Sequence, residues 1–289
     1  MKIPFLPILA MCGPLLCPTA QAARHTDVEY GVAAGESLRL DAYVPDGAGP
    51  FPAVILVHGG GWTTGDKSGG PRQAFIAPLH APLERAGFAW FSINYRLAPK
   101  HRFPACIEDV EAAIRWVKAH AAAHRVDPRR LALSGESAGG HLVALAAARA
   151  GAETRVAAVV PFYGVFDLAA MAPAGAPLHK AIANLLGRET PDAPALVLLR
   201  EASPITHVRP GLPPFLLPHG TGDRTVAFAQ SEAFQARLRA VGVSCELLVV
   251  PDGAHGMINW NTIMPDYGDR VVAWIARTLG AGGAKSVRP

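Results

Sequence analysis

Six short, nearly continuous apolar runs constrain the fold of this chain more than any other feature: PAVILVHG, FAWFSINY, RLALSG, RVAAVVPFYG, PFLLPHG and CELLVVPDG. Runs without polar alternation suit strands covered on both faces, as in a parallel sheet. Helical stretches lie between them. The clearest is PACIEDVEAAIRWVKAHAAAH, where Ile107, Val110, Ile114 and Val117 share one face and Pro104 suits a first helical turn. Strands alternating with helices imply parallel crossovers and a doubly wound α/β sheet with its site at the strands' carboxyl ends. Upstream, VEYGVAAGESLRLDAYVP alternates around Ala34-Gly35 and reads as a β-hairpin.

Two segments fit this scheme less well. Residues 62–85 contain Pro71, Pro78 and Pro82, which predicts a short or kinked helix. Residues 168–213 form an insertion rich in Ala, Pro and Leu, with a possible short helix over 179–186. Near the carboxyl ends of the strands, such an insertion is expected to line the site rather than to build a second domain.

The N-terminus reads separately. Lys2, an apolar stretch over 3–16 and Ala20-Gln21-Ala22 predict a signal peptide over 1–22 and a single domain over 23–289. The protein is then exported, to the periplasm or the extracellular space. Pro4, Pro7, Pro14 and Pro18 interrupt a segment already too short to span, so no stable membrane insertion is expected. With Lys2 removed the formal charge falls from +4 to +3, and the basic residues are scattered, which argues against a nucleic-acid partner. Cys12 and Cys17 leave with the leader. Cys106 and Cys245 remain.

A serine hydroxyl is a weak nucleophile that needs exposure, a base and donors for the oxyanion it creates. Gly135-Glu136-Ser137-Ala138-Gly139 meets the first need: small residues let the chain turn sharply from a strand into the helix-forming HLVALAAARA, lifting Ser137 above the sheet. HGGGW, residues 58–62, follows the strand AVILV, and the amides of Gly60 and Gly61 with that of Ala138 are candidate oxyanion donors. Among eleven histidines, His255 in PDGAHGM has the position expected of the base in the order Ser, Asp, His. His58 is expected to brace the glycine loop and His141 to point away from the elbow. His219 ends a strand, and the other histidines read as solvated. Asp223 in HGTGDRTV is the candidate orienting acid, with Asp167 as its rival, whereas Asp252 reads as part of an Asp-Gly turn.

HGGGW followed by GDK, NYRLAPKHRFPACIEDVEAAIRWV, VDPRRLALSGESAGGHLVALAA, HGTGDRTV and GAHG, in that order, resemble the α/β-hydrolase esterases. The likeness lies in the region shared by hormone-sensitive-lipase-like carboxylesterases and the acetylxylan and feruloyl esterase-like branch. It implies a mostly parallel sheet with flanking helices, here with little or no cap because so little chain precedes His58. It also implies ester hydrolysis through Ser137, His255 and Asp223 by way of an acyl-enzyme, with no metal or organic cofactor. About 35 mature residues precede His58, too few for the long segment from which the lipase-like relatives build part of their cap. That departure predicts an open site and short acyl groups, on a small-molecule or polysaccharide-linked ester. In such a fold Cys106 and Cys245 lie far apart and stay free and buried. An amidase or peptidase of the same fold is the alternative, and a binding protein on a hydrolase scaffold is a third reading. The sequence leaves the oligomeric state open.

Overall fold

A computed structural model of the chain describes residues 21–69, 77–172 and 176–280. The apolar stretch of the predicted signal peptide and Pro71 lie outside the described residues. Eight strands form one sheet in the order β1-β2-β4-β3-β5-β6-β7-β8. β1 (Ala23–Ala33) and β2 (Glu36–Val44) are the antiparallel hairpin, turned through Ala34 and Gly35, both at positive φ. β2 pairs antiparallel with β4 (Ala89–Ile93). From there β3 (Phe51–Val57), β5 (Val126–Glu136), β6 (Ala158–Phe162), β7 (Phe215–Gly220) and β8 (Cys245–Val250) are all parallel. These six strands contain the six apolar runs.

Both faces of the sheet are covered, which is why the runs show no alternation. In β3, Ala53, Ile55 and Val57 face a core shared with α2 (Ala105–Ala119), α3 (Ala138–Arg149) and α6 (Ala229–Ala240). Val54 and Leu56 face the opposite core, filled from α1 (Ala77–Arg85) and α8 (Tyr267–Thr278). Each such fully buried Leu or Ile contributes about 1.5–3 kcal/mol relative to exposure. Ile107, Val110, Ile114 and Val117 are all buried on α2, and Pro104 caps it rather than entering its first turn. Asp109 of the same helix accepts a bidentate bond from Arg96 at 2.7–3.0 Å and also the Arg96 amide, pinning the helix to the stretch after β4. Cys106 and Cys245 are both free and buried.

Among its described residues the 168–213 insertion holds two α-helices rather than one, and a 3-10 turn (Pro204–His207). α4 (Lys180–Leu186) follows His179, and α5 (Ala193–Ala202) is started by Asp192, whose carboxylate accepts from the Ala195 amide. No helix among the described residues is long and apolar enough to cross a membrane.

Candidate active site

The site is built at the carboxyl ends of β3, β5, β7 and β8, where the chain leaves the sheet. After β5 it turns into α3 within one residue, and that residue, Ser137, is held at φ 53°, ψ −115°. A non-glycine residue in this region carries about 1–3 kcal/mol of strain, sustained only where the surroundings over-determine it. The surroundings explain the flanking glycines. A Cβ on Gly135 would stand 2.5 Å from the Gly139 carbonyl oxygen, and one on Gly139 would overlap the Val57 carbonyl of the neighbouring strand. The turn closes only with glycine at both places, and it leaves Ser137 partly exposed at the start of a 12-residue helix whose N-terminus favours negative charge.

His255 Nε2 lies 3.0 Å from Ser137 Oγ, and His255 Nδ1 lies 2.6 Å from Asp223 Oδ2. His255 begins a short 3-10 turn (His255–Met257) after β8. Asn259 Oδ1 accepts the Ala254 amide, the Trp260 indole donates to the Ala254 carbonyl, and the Tyr163 ring packs edge-on to the imidazole at 4.7 Å. Asp223 stands in the turn after β7, its side chain fully buried. Oδ1 accepts the amides of Thr225 and Val226 at 2.8 and 2.9 Å. Burial pushes this carboxyl up, but hydrogen bonds from His219, His255 and the Val226 amide outweigh it and hold Asp223 well below the usual carboxylate range. A carboxylate only accepts, so the His255 proton sits on Nδ1 and Nε2 faces the serine as an acceptor.

His219 is more than a strand end. Its Nε2 faces the Val226 carbonyl at 3.0 Å and Asp223 Oδ2 at 3.4 Å, while Nδ1 meets Ser231 Oγ at 2.7 Å. The Asp223 carboxylate is thus gripped from both sides by imidazoles, one partly exposed and one fully buried. Asp167 is elsewhere: its Oδ1 accepts the Ala170 amide, and its backbone is bound by Gln230. Asp252 sits at positive φ in the turn before Gly253, as expected.

Gly60, Gly61 and Ala138 line the same cavity as Ser137 and His255. Among the described residues their amides donate to no protein acceptor, which leaves three N–H groups for an oxygen bound there. The glycine loop is fixed through its carbonyls. Thr63 and Thr64 amides donate to the Gly60 oxygen, and the Tyr95 hydroxyl reaches the oxygens of His58 and Gly59. His58 stacks on Tyr95 and bonds the Gly59 oxygen through Nδ1, and burial lowers its pKa to about 4, so it braces the loop as a neutral ring. Trp62 donates to His141 Nδ1 at 3.0 Å, and His141 Nε2 meets the Ala202 carbonyl at 2.7 Å, linking the loop, α3 and α5.

The cavity encloses about 260 Å³. Trp62, Val165, Met171, Ala181 and Ile182 give it an apolar wall, so the insertion supplies part of the lining. His179, read from the sequence as solvated, also borders it. His179 is exposed, whereas His80, His101 and His124 are partly buried rather than solvated, His80 stacked on Trp90 and His124 set between Phe91 and Trp116. No group of side chains suited to hold a metal ion occurs among the described residues. A hydroxyl, an imidazole acceptor, an ionised carboxylate and unpaired amides around an apolar cavity are the parts needed for acyl transfer.

The chain is 36% identical over 232 residues to the probable carboxylic ester hydrolase LipM of Mycobacterium tuberculosis, covering 76% of this chain and 52% of that protein. It thus spans about half the length of the mycobacterial relatives it matches, the esterase LipQ among them at 36% identity, with 77% of this chain and 54% of that one covered. A truncated carbohydrate esterase from gut microbiota superposes with a TM-score of 0.77 at 27% identity, over 89% of this chain and 96% of that one. Thermogutta terrifontis esterase Est2, in a structure with propionate bound, gives a TM-score of 0.71 at 26% identity, over 93% and 97% of the two chains. The BD-FAE family model matches residues 40–238, well over half of the sequence, and the chain belongs to this family of α/β-hydrolase fold proteins.

Proposed function

We propose that this protein is an exported serine esterase that cleaves carboxylic esters with short acyl groups. Ser137 attacks the ester carbonyl, and His255 takes its proton at Nε2 and hands it to the departing alcohol. Asp223 holds the imidazole and offsets its charge. The amides of Gly60, Gly61 and Ala138 receive the oxyanion, and water then releases the acyl group by the same path in reverse roles. The observation that carries this reading is the unbroken chain from Ser137 Oγ through His255 to a buried, ionised Asp223, beside three amides unpaired among the described residues. The apolar cavity of about 260 Å³ supports the acyl preference, and the propionate described for the Thermogutta esterase is a ligand of that size class. Export rests on the sequence pattern of residues 1–22 alone.

The test is turnover of p-nitrophenyl acetate by the purified protein and its Ser137→Ala variant. Loss of several orders of magnitude in kcat with an unchanged melting temperature is expected. Near-normal turnover in a folded Ser137→Ala protein would refute the assignment.

A further inference from the structure

Two ionisable side chains border the reaction cavity without a part in the chemistry just described, His179 and Glu136. His179 is exposed and caps α4 by accepting the Ala181 amide, which accounts for it. Glu136 is different. It is the last residue of β5, next to Ser137, and only 4% exposed. Its Oε1 accepts the amide of Gly59, the first glycine of the loop, and a Cβ on Gly59 would overlap the carboxyl group. Among the described residues this is the one hydrogen bond that takes hold of an N–H in the Gly59–Gly61 segment, whose other ties run to carbonyls. The buried Tyr163 hydroxyl, which makes no hydrogen bond to any other group among the described residues, faces the same carboxyl.

We propose that Glu136 is a positioning residue that couples the glycine loop to His255. Its Oε1 fixes the loop whose next two amides receive the oxyanion, and its charge is felt by the imidazolium that forms during turnover. This rests on the hydrolysis proposed above. The ionisable groups facing the carboxyl are His255 from the loop after β8, Tyr163 after β6 and Tyr95 after β4. No Lys or Arg among the described residues pairs with it, and burial accordingly raises its pKa to about 7. A carboxyl titrating there changes its charge within the neutral range, so the acid limb of the rate profile carries its titration. Tyr163 can serve either state, donating to the carboxylate or accepting from the acid.

Glu136→Gln separates the two contributions, because the amide oxygen still accepts from Gly59 and its nitrogen can donate to Tyr163, while the charge is gone. Glu136→Ala removes both. The measurement is the pH profile of kcat and KM on p-nitrophenyl acetate, from about pH 5 to about pH 9, with melting temperatures as the control on folding. For Glu136→Gln we expect kcat on the alkaline plateau within about tenfold of wild type and an acid limb moved to lower pH by about half a unit or more. For Glu136→Ala we expect a fall of about 10²-fold in kcat with KM within about threefold, the signature of misplaced oxyanion donors. Wild-type profiles in both folded variants, or changes confined to KM, would overturn the inference while leaving the hydrolysis standing. Absence of ester turnover in the wild type would overturn the hydrolysis and this inference with it.

Discussion

Replacing Asp223 by Asn probes the site more sharply than removing it, because the amide nearly preserves shape while changing what each atom can do. Two orientations compete. If the amide oxygen takes the place of Oδ1, it keeps the Thr225 and Val226 amides, and the new NH₂ faces His255 Nδ1 and His219 Nε2. The flipped orientation sets the NH₂ against two backbone donors, two clashes that cannot relax. The first orientation therefore prevails. His255 must then accept at Nδ1, which moves its proton to Nε2, where it points at Ser137 Oγ and can no longer take the hydroxyl proton. Such a tautomer reversal costs on the order of 10⁴ in kcat, about 5 kcal/mol of barrier. The fold should survive with a loss of about 1–3 kcal/mol, since His219 keeps its Nε2 proton on the Val226 carbonyl at 3.0 Å and forgoes only the longer approach to residue 223. The assay is steady-state hydrolysis of p-nitrophenyl acetate by Asp223→Asn and by Asp167→Asn, each checked by thermal melting. Among the described residues Asp167 accepts only one local amide, so its variant should stay within about threefold of wild type. A crippled Asp167→Asn beside a mild Asp223→Asn would refute the reasoning.

Two further outcomes follow from the cavity and from Glu136. On a p-nitrophenyl ester series, kcat/KM should peak between acetate and butyrate and fall by octanoate, since methylenes beyond the cavity forgo the about 0.8 kcal/mol each that burial supplies; a maximum at decanoate, or activation by emulsified triglyceride, would contradict this. The Glu136 carboxyl, raised to about 7 in the folded protein from an unfolded value near 4.5, keeps its proton longer when folded, so its contribution to stability is full below about pH 4.5 and declines as pH rises to about 7. Glu136→Gln should therefore gain stability relative to wild type between about pH 5 and about pH 8, by on the order of 3 kcal/mol in denaturant melts, and an unchanged difference would show that the carboxyl is not held protonated.

The layering of the fold was legible because burial on both faces writes itself into sequence as unbroken apolar runs, and all six became strands. The positions of Ser137, Asp223 and His255 were legible for a related reason: each follows a strand that a turn must end, and the glycines at 135 and 139 mark the sharpest of those turns. What stayed hidden depends on packing between distant segments. α5 carries a readable start in Asp192 followed by Pro194, but its Ala- and Leu-rich body shows no clear polar face to mark it within the insertion. His80 and His124 look like surface residues until Trp90, Phe91 and Trp116 close around them. His219 lies four residues before Asp223, yet only the turn after β7 brings its ring back toward the carboxylate. Glu136 was visible as the variable position of the elbow. Its tie to Gly59 spans 77 residues and comes from the parallel pairing of β3 with β5.

The central claim is that Ser137 is a nucleophile activated by His255, and covalent trapping tests it without assuming any natural substrate. Paraoxon transfers a diethylphosphoryl group to an activated serine hydroxyl, with p-nitrophenolate as the leaving group. Incubation of this protein with paraoxon should release one equivalent of p-nitrophenol per chain and place a single diethylphosphoryl group on the peptide containing Ser137. His255→Ala should slow that labelling by several orders of magnitude, and Ser137→Ala should abolish it. Labelling at another residue, or undiminished labelling in folded Ser137→Ala, would contradict the account.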